Sequence, residues 1–201
     1  MFVQEIRGRV ADPRPVHAAL DAWSRQLAPG ATGWLGSTAG VTDDGRFVAL
    51  ARFESEDAAR RNEHRPEQSQ WWQETSKLFS GEVTFRDSDD VIADLHGDPN
   101  NAGFLQVMEG QGTDPERAKE LMAQNSDEWA EFRPDVIGSL ALGYEGGGYT
   151  MAMYFSSEEE AREGERKEPP PVLQAQMAAM DKLTVGEPEF LDLREPWLYS
   201  P

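Results

Sequence analysis

The chain has 201 residues and contains no cysteine. Disulfide bonds, thiolate metal sites and a cysteine nucleophile are therefore excluded together. Its three histidines lack the His-x-x-x-His or carboxylate spacing of a dedicated metal site, so we expect no bound metal. His17 lies on a predicted helix and is interpreted as a partly exposed residue, whereas His96 falls in a predicted linker.

Long apolar runs are also missing, because no stretch approaches the roughly 18 residues that a membrane-spanning helix needs. The N-terminus shows no basic region followed by an apolar segment, so we expect a cytoplasmic protein without a signal peptide. Positive charge is scarce, with 19 Lys and Arg against 37 Asp and Glu and a net charge of −18. Such a field repels phosphate backbones and anionic lipid, so neither nucleic acid nor membrane is an expected partner.

The most informative feature of the chain is an internal repeat. Its two halves match at an offset of about 102 residues, which becomes about 105 after a short insertion. The matching pairs include Phe2/Phe104, Gln4/Gln106, Gly8/Gly110, Asp12/Asp114, Ala59/Ala161, Arg60/Arg162, Gly81/Gly186, Phe85/Phe190 and Asp87/Asp192. A period this long indicates a duplicated domain rather than a solenoid. We predict a first repeat at residues 1–97, a linker at 98–103 and a second repeat at 104–201.

Local patterns give the order of elements within the first repeat. Alternating apolar residues from Phe2 to Val10 predict a strand. Asp12 and Pro13 are typical of a helix start, and apolar residues follow at helical spacing. Two strands come next, then a helix that begins after Ser55 and breaks near Pro66, and finally a strand.

The second repeat shows the same order, with a first helix predicted from Asp114 to about Phe132. Strand, helix, strand, strand, helix, strand is the ferredoxin-like arrangement, in which two helices cover one face of a four-stranded sheet. The other face has to be covered as well, and a second copy can cover it. We therefore predict an α+β protein of two tandem ferredoxin-like (βαββαβ) repeats packing sheet to sheet as a pseudo-dimeric α+β barrel, and we expect a monomer.

Two segments carry a family resemblance, namely Phe53–Ala59 (FESEDAA) and Phe155–Ala161 (FSSEEEA). With the element order, this pattern resembles the dimeric α+β barrel superfamily, which includes the antibiotic-biosynthesis monooxygenases, and it covers nearly the whole chain once per repeat. Residues 62–72 are similar to those of uncharacterised actinobacterial relatives. The superfamily also contains haem-degrading enzymes, dismutases and isomerases, so the resemblance implies the fold and leaves the chemistry open.

His64 is the candidate catalytic base. Superfamily members often have a pocket-facing histidine near this place, and a neutral imidazole there could abstract a substrate proton. The alternative is a surface or capping histidine before the break at Pro66. Arg166 occupies the equivalent position in the second repeat, which favours an exposed site.

Tryptophans are the candidate walls of a substrate site. Trp71 and Trp72 are adjacent on a predicted helix and cannot point the same way, so one is expected in the core and the other at a cavity or the surface. Trp34 is expected to help shape the same site. Ordinary core packing remains the alternative for Trp71 and Trp72.

The haem-degrading branch of the superfamily implies an Asn on the first strand, a Trp on the second helix and a His ten residues later. Gln4, Asn62 and Trp72 stand at those places here, so we expect no haem and no other cofactor. Gln4 and Asn62 remain candidates for substrate binding. Gln4 and Gln106 occupy equivalent strand positions and are expected either to pair with each other or to face a pocket.

Two functions stay open on the sequence. The first is a cofactor-independent monooxygenase acting on an aromatic or polyketide-like substrate, with His64 as base and Gln4, Trp34, Asn62, Trp71 and Trp72 as substrate-binding residues. Such an enzyme has to supply only a base and a dry cavity, because a deprotonated activated phenol reacts with oxygen directly. The second is a non-catalytic module that binds a small apolar ligand or another protein. The sequence does not decide whether the chain is an enzyme.

Overall fold

A computed structural model describes residues 1–95 and 97–201, so His96 lies outside the described residues. The chain divides into two compact units. Unit 1 comprises Met1–Val91 together with Glu195–Pro201, and unit 2 comprises Ile92–Arg194.

The helices and strands follow the predicted order in both repeats. In chain order they are β1 (Phe2–Arg9), α1 (Pro13–Gln26), β2 (Trp34–Val41), β3 (Arg46–Phe53), α2 (Glu56–Glu63), α3 (Pro66–Thr75), β4 (Thr84–Ser88), β5 (Val91–Asp94), β6 (Phe104–Gly112), α4 (Pro115–Met122), α5 (Ser126–Phe132), β7 (Val136–Gly143), β8 (Gly148–Phe155), α6 (Glu158–Glu165), α7 (Pro171–Asp181), β9 (Thr184–Leu193) and β10 (Trp197–Tyr199). The α+β class with two ferredoxin-like repeats is confirmed.

Local capping explains where the helices begin. Asp12 accepts a hydrogen bond from the backbone N–H of Arg14 at the start of α1. Ser55 accepts from the N–H of Ala58 at the start of α2, and Ser157 does the same for α6. Asp12 and Ser55 are the residues that the sequence pattern predicted as helix starts.

Each sheet has five strands rather than the four predicted. The order is β10-β2-β3-β1-β4 in unit 1 and β5-β7-β8-β6-β9 in unit 2. The added edge strands β5 and β10 lie near the C-terminal ends of the two predicted repeats, and each supplies hydrogen-bonding partners to a strand that would otherwise be an open edge. As a result, residues 195–201 belong to unit 1 and residues 92–97 to unit 2, which differs from a division into contiguous repeats.

The single helix predicted from Asp114 to Phe132 is wrong, because the segment forms α4 and α5. Asn125 separates them with a φ of 56°, in the left-handed region that asparagine tolerates better than most residues. Its side-chain amide donates to Gln176 Oε1 at 2.8 Å. The spacing of apolar residues is helical on both sides of Asn125, so this spacing alone could not reveal the break.

In unit 1 the core between helices and sheet is built from alternate strand residues. Phe2 pairs with Phe53 across β1 and β3, and both pack with Trp23 of α1 and Ala59 of α2. The side of the sheet that carries these residues is called the helix-facing side below. Because strand side chains alternate, Gln4, Ile6 and Gly8 share that side with Phe2.

Gln176 fastens α7 to α4 and α5 in unit 2. Its Oε1 accepts from Asn125 Nδ2 at 2.8 Å and from Trp129 Nε1 at 3.1 Å. Its Nε2 donates to the carbonyl oxygens of Leu121 and Gln124 at 2.6 and 3.2 Å. The side chain is buried and makes these four hydrogen bonds.

We predict that Gln176→Leu lowers the free energy of unfolding by about 2–4 kcal/mol, because it removes four hydrogen bonds that a buried side chain makes between α7 and the α4–α5 segment. Urea denaturation followed by circular dichroism measures the loss. Gln174→Leu is the matched control, since Gln174 lies on the same helix and is exposed. Equal effects of the two substitutions would contradict the role assigned to Gln176.

Candidate functional site

A continuous series of rings lies on the helix-facing side of unit 1, and we call it the aromatic row. It consists of Phe85, Trp72, Phe79, Phe47, Trp197 and His17, with successive ring centroids 5.2, 6.1, 5.0, 6.2 and 4.3 Å apart. Phe85 is 44% exposed at one end. At the other end the side chain of His17 is also 44% exposed.

The aromatic row crosses the sheet of unit 1 from edge to edge. Phe85 lies on edge strand β4, Phe47 on central strand β3 and Trp197 on the opposite edge strand β10. Phe79 bridges the strands by lying directly on β1, where a Cβ atom on Gly8 would come within 2.6 Å of its Cδ1. Glycine at position 8 is therefore required for the row to pass over β1.

Trp23, Trp34 and Trp71 form a second, more deeply packed group, which meets the aromatic row where the ring of Trp71 lies 6.0 Å from that of Trp72. Trp23 and Trp34 meet edge to face at 5.1 Å, and Trp71 lies 6.3 Å from Trp23. Each indole N–H has an acceptor: Gln68 Oε1 at 2.6 Å for Trp23, Ser37 Oγ at 2.9 Å for Trp34 and the Ala19 carbonyl at 3.1 Å for Trp71. Trp34 and Trp71 thus pack the core of unit 1, whereas Trp72 belongs to the aromatic row.

Unit 2 fills the equivalent positions with other side chains. Asn125 and Gln176 replace Trp23 and Trp71 and join the same two helical segments by a hydrogen bond instead of ring packing. Met177 stands at the position of Trp72. The large aromatic surface is therefore a property of unit 1 rather than a requirement of the fold.

His64 ends α2 and is exposed. Its Nδ1 lies 2.6 Å from the carbonyl oxygen of Arg60, so a proton on Nδ1 leaves Nε2 as the basic atom. His64 lines an open surface depression of about 510 Å³ together with Asp57, Arg60, Arg61, Arg65 and Pro66. Within the described residues, the ring contacts of the aromatic row do not include His64.

Gln4 belongs to a polar network beside His64. Its Nε2 donates to Glu63 Oε1 at 2.8 Å and to Asp87 Oδ1 at 3.2 Å. The guanidinium of Arg60 binds the same two carboxylates and lies 5.7 Å above the ring of Phe2. The hydrogen bonds to Asp87 and Glu63 raise the pKa of Arg60 above its ordinary value.

Unit 2 contains the same network. Gln106 Nε2 donates to Asp192 at 3.0 Å, and Arg162 binds Asp192 and Glu165 while lying 5.1 Å above the ring of Phe104. The two glutamines thus find acceptors within their own units. Because the network occurs in both repeats, we interpret it as a link between the second helix, the first strand and the edge strand.

Asn62 is buried and also has a structural partner. Its Oδ1 accepts from Arg65 Nη1 at 3.0 Å, and the same nitrogen donates to the Leu27 carbonyl at 3.0 Å. Asn62 therefore connects the end of α2 to the end of α1. The six site residues of the sequence analysis fall into three environments: the aromatic row, the core of unit 1 and the polar surroundings of α2.

The structure reveals a polar group that the sequence analysis missed, at the His17 end of the aromatic row. The His17 ring stacks on Trp197 with 4° between the planes, and its Nε2 lies 3.7 Å from Asp21 Oδ1. Tyr199 donates its hydroxyl to the same Asp21 oxygen at 2.9 Å. The i,i+4 spacing of His17 and Asp21 was visible in the sequence, but the contribution of β10 depends on a strand that was not predicted.

Among residues 1–95 and 97–201, no cluster of His, Asp or Glu is suited to hold a metal ion. Within the same ranges, no helix has the length and apolar character needed to cross a membrane.

Comparison with known proteins identifies the fold. The chain matches no protein-family model and no curated protein sequence. A candidate monooxygenase from Lactobacillus acidophilus NCFM is 12% identical with a TM-score of 0.76, covering 99% of this chain and 96% of that one. A candidate monooxygenase from Fusobacterium nucleatum is 10% identical with a TM-score of 0.77, covering 99% and 94%.

An anthrone oxidase-like protein is also similar, at 12% identity and a TM-score of 0.67, covering 99% of this chain and 92% of that one. At such identities the likeness concerns the fold alone. The chain shares the α+β fold of these solved structures, and this is the fold that the resemblance noted in its sequence implies.

The packing of Tyr199 generates a prediction about alkaline pH. Burial raises the pKa of Tyr199, and its hydrogen bond to Asp21 raises it further. Because the folded pKa lies above the unfolded value of about 10, the stabilisation is fully present below about pH 10 and is lost as pH rises toward the folded pKa. We expect Tyr199→Phe to lose less stability than the wild type between neutral and strongly alkaline pH, in urea denaturation series. Parallel pH dependences of the two proteins would contradict this assignment.

Proposed function

We propose that unit 1 binds a flat aromatic or polyketide-like small molecule at the aromatic row and acts on it as a cofactor-independent monooxygenase. The observation that carries the proposal is the aromatic row itself, which unit 2 does not reproduce at the equivalent of Trp72. At the edge of the row, the exposed Phe85 and the half-buried Trp72 offer stacking and edge-to-face contacts to a multi-ring ligand.

Access is expected at the edge between α3 and β4. Trp72 is half-buried there and meets the exposed Phe85 edge to face at 5.2 Å. Since these two rings contact each other, a ligand has to displace one of them, so binding involves a side-chain rearrangement in unit 1. The ligand then takes the place of one ring and keeps water from the space beneath α3.

An anthrone-type compound illustrates the reaction. A base removes a proton from its central methylene group, and the resulting enolate forms a carbon–oxygen bond with O₂. Protonation gives a hydroperoxide, and loss of the second methylene proton then expels hydroxide, which leaves as water. One oxygen atom remains as the new carbonyl group of a quinone. The protein has to provide only a base and a site that excludes water.

The anthrone oxidase-like neighbour supports anthrone as a probe, although likeness at this identity concerns the fold. His64 remains the base proposed from sequence. Its exposed position in an open depression gives it little shielding from water, so the identity of the base requires its own test.

A non-catalytic module that binds a protein partner is the second candidate. It is supported by exposed apolar side chains in unit 2, namely Val172 and Met177 on α7 and Val185 and Phe190 on β9, which are 45, 44, 51 and 49% exposed. Exposed apolar side chains of this size are typical of interaction surfaces when they form one patch.

We predict that the protein binds anthrone in anaerobic isothermal titration calorimetry and consumes oxygen when air is admitted. Phe85→Ala is expected to weaken binding by about tenfold, because an aromatic contact is lost. Trp72→Leu is expected to weaken it similarly.

Phe190→Ala is the matched control, since Phe190 is the equivalent residue of unit 2 and is similarly exposed. It should leave anthrone binding unchanged. A loss of binding in Phe190→Ala alone would place the ligand in unit 2. A wild-type protein that neither binds anthrone nor consumes oxygen with it would oppose the proposed function and favour the interaction module.

A further inference from the structure

We infer that the sheet of unit 1 binds a small monovalent anion through Arg52, on the side opposite to its helices. This anion site is independent of the proposed function, because the aromatic row lies on the helix-facing side of the same sheet. The starting observation is a buried guanidinium group with an unpaired donor atom.

Arg52 points away from the helices of unit 1. Its neighbour Phe53 packs in the core beneath the helices, and strand side chains alternate between the two sides of a sheet. Arg52 is 6% exposed, and within residues 1–95 and 97–201 its buried Nη1 has no hydrogen-bond partner. Arginine does not lose its proton in proteins, so its charge stays in this buried place and its burial is unfavourable without a partner.

The backbone of β2 leaves room for this guanidinium. A Cβ atom on Gly36 would lie 2.5 Å from Arg52 Nη2 and 2.7 Å from the carbonyl oxygen of Tyr199. The φ of Gly36 is 128°, an angle that glycine adopts far more readily than other residues. Glycine at position 36 therefore lets the guanidinium lie close against β2.

The residues beside Arg52 supply little compensation for its charge. Its cross-strand neighbours are Val3 on β1 and Gly36 on β2, and neither has a polar side chain. Glu5 points to the same side as Val3, but its carboxylate accepts from Arg7 Nε at 2.8 Å and lies 3.8 Å from Arg86 Nη1. The carboxylate on this side of β1 is thus already bound by other arginines.

Unit 2 shows that the fold does not require charges at these positions. Tyr154 stands at the position of Arg52, and Val107 stands at that of Glu5. Both residues of unit 2 are fully buried. Because replacing buried charges by well-packed uncharged groups is often neutral or stabilising, a buried arginine with an unpaired nitrogen indicates a ligand rather than a structural need.

The chemistry of the guanidinium defines the class of ligand. Its N–H groups form charge-assisted hydrogen bonds with anions and fit the two oxygens of a carboxylate. The enclosed Nη1 favours a compact anion, and the single charge of Arg52 is matched by a monovalent one. Halide ions and small carboxylates such as formate meet both conditions.

Thermal unfolding at constant ionic strength tests the site, with chloride or formate replacing the much bulkier gluconate. We expect the Tm of the wild type to rise and to saturate, by about 5–10 °C at 100 times the dissociation constant. Arg52→Tyr, which introduces the residue of unit 2, and Arg52→Leu should not respond. Arg61→Ala is the matched control and should respond as the wild type does, since Arg61 is exposed.

Crystals of the wild type grown in bromide give a second measurement that does not depend on the folding of a variant. Anomalous diffraction should place a bromide ion within hydrogen-bond distance of Arg52 Nη1. A water molecule at this place, or a Tm response equal in the wild type and Arg52→Tyr, would overturn the inference. Saturation with formate but not with chloride would support it and identify the ligand as a carboxylate.

Discussion

The space between the helices and the sheet of each unit has to be filled at close-packed density, and the two units fill it with different side chains. Unit 1 joins its first and second helical segments through Trp23 and Trp71, whose rings lie 6.3 Å apart. Unit 2 uses Asn125 and Gln176 at the same places and makes a hydrogen bond of 2.8 Å. Since the fold forms with either set of side chains, the aromatic surface of unit 1 is not required by the fold.

Residues shared by the two repeats maintain the architecture. Arg60 and Arg162 each lie over a phenylalanine of the first strand and bind an aspartate of the edge strand. Forming such a network removes charged groups from water and restricts long side chains, but it fixes the second helix against the sheet in a defined position. The aromatic row of unit 1 instead includes positions where the repeats differ, such as Trp72 and Trp197.

Much of the fold could be predicted because its signals are local. Asp12, Ser55 and Pro66 mark helix boundaries by the hydrogen bonds and backbone angles that they favour, and the structure places the boundaries there. The edge strands β5 and β10 escaped prediction because they are short, and a short strand depends on its partner for stability. The left-handed Asn125 escaped because a single residue interrupts an otherwise continuous helical pattern.

The candidate site was less predictable than the fold, for a related reason. Trp72 was recognised as an aromatic wall because side-chain size is visible in the sequence. The arrangement of His17 could not be found in the same way, since its partner Tyr199 reaches Asp21 from 178 residues away in the chain. Asn62 and Gln4 were chosen by resemblance, and their hydrogen bonds to Arg65 and to Glu63 give them roles in joining elements.

The most direct measurement of the central claim is a crystal structure of the protein grown with anthrone in the absence of oxygen. The account predicts the ligand in unit 1, at the edge between α3 and β4, with Trp72 or Phe85 displaced from their mutual contact. An ordered ligand beside Met177 and Phe190 in unit 2, or in the depression lined by His64, would contradict it.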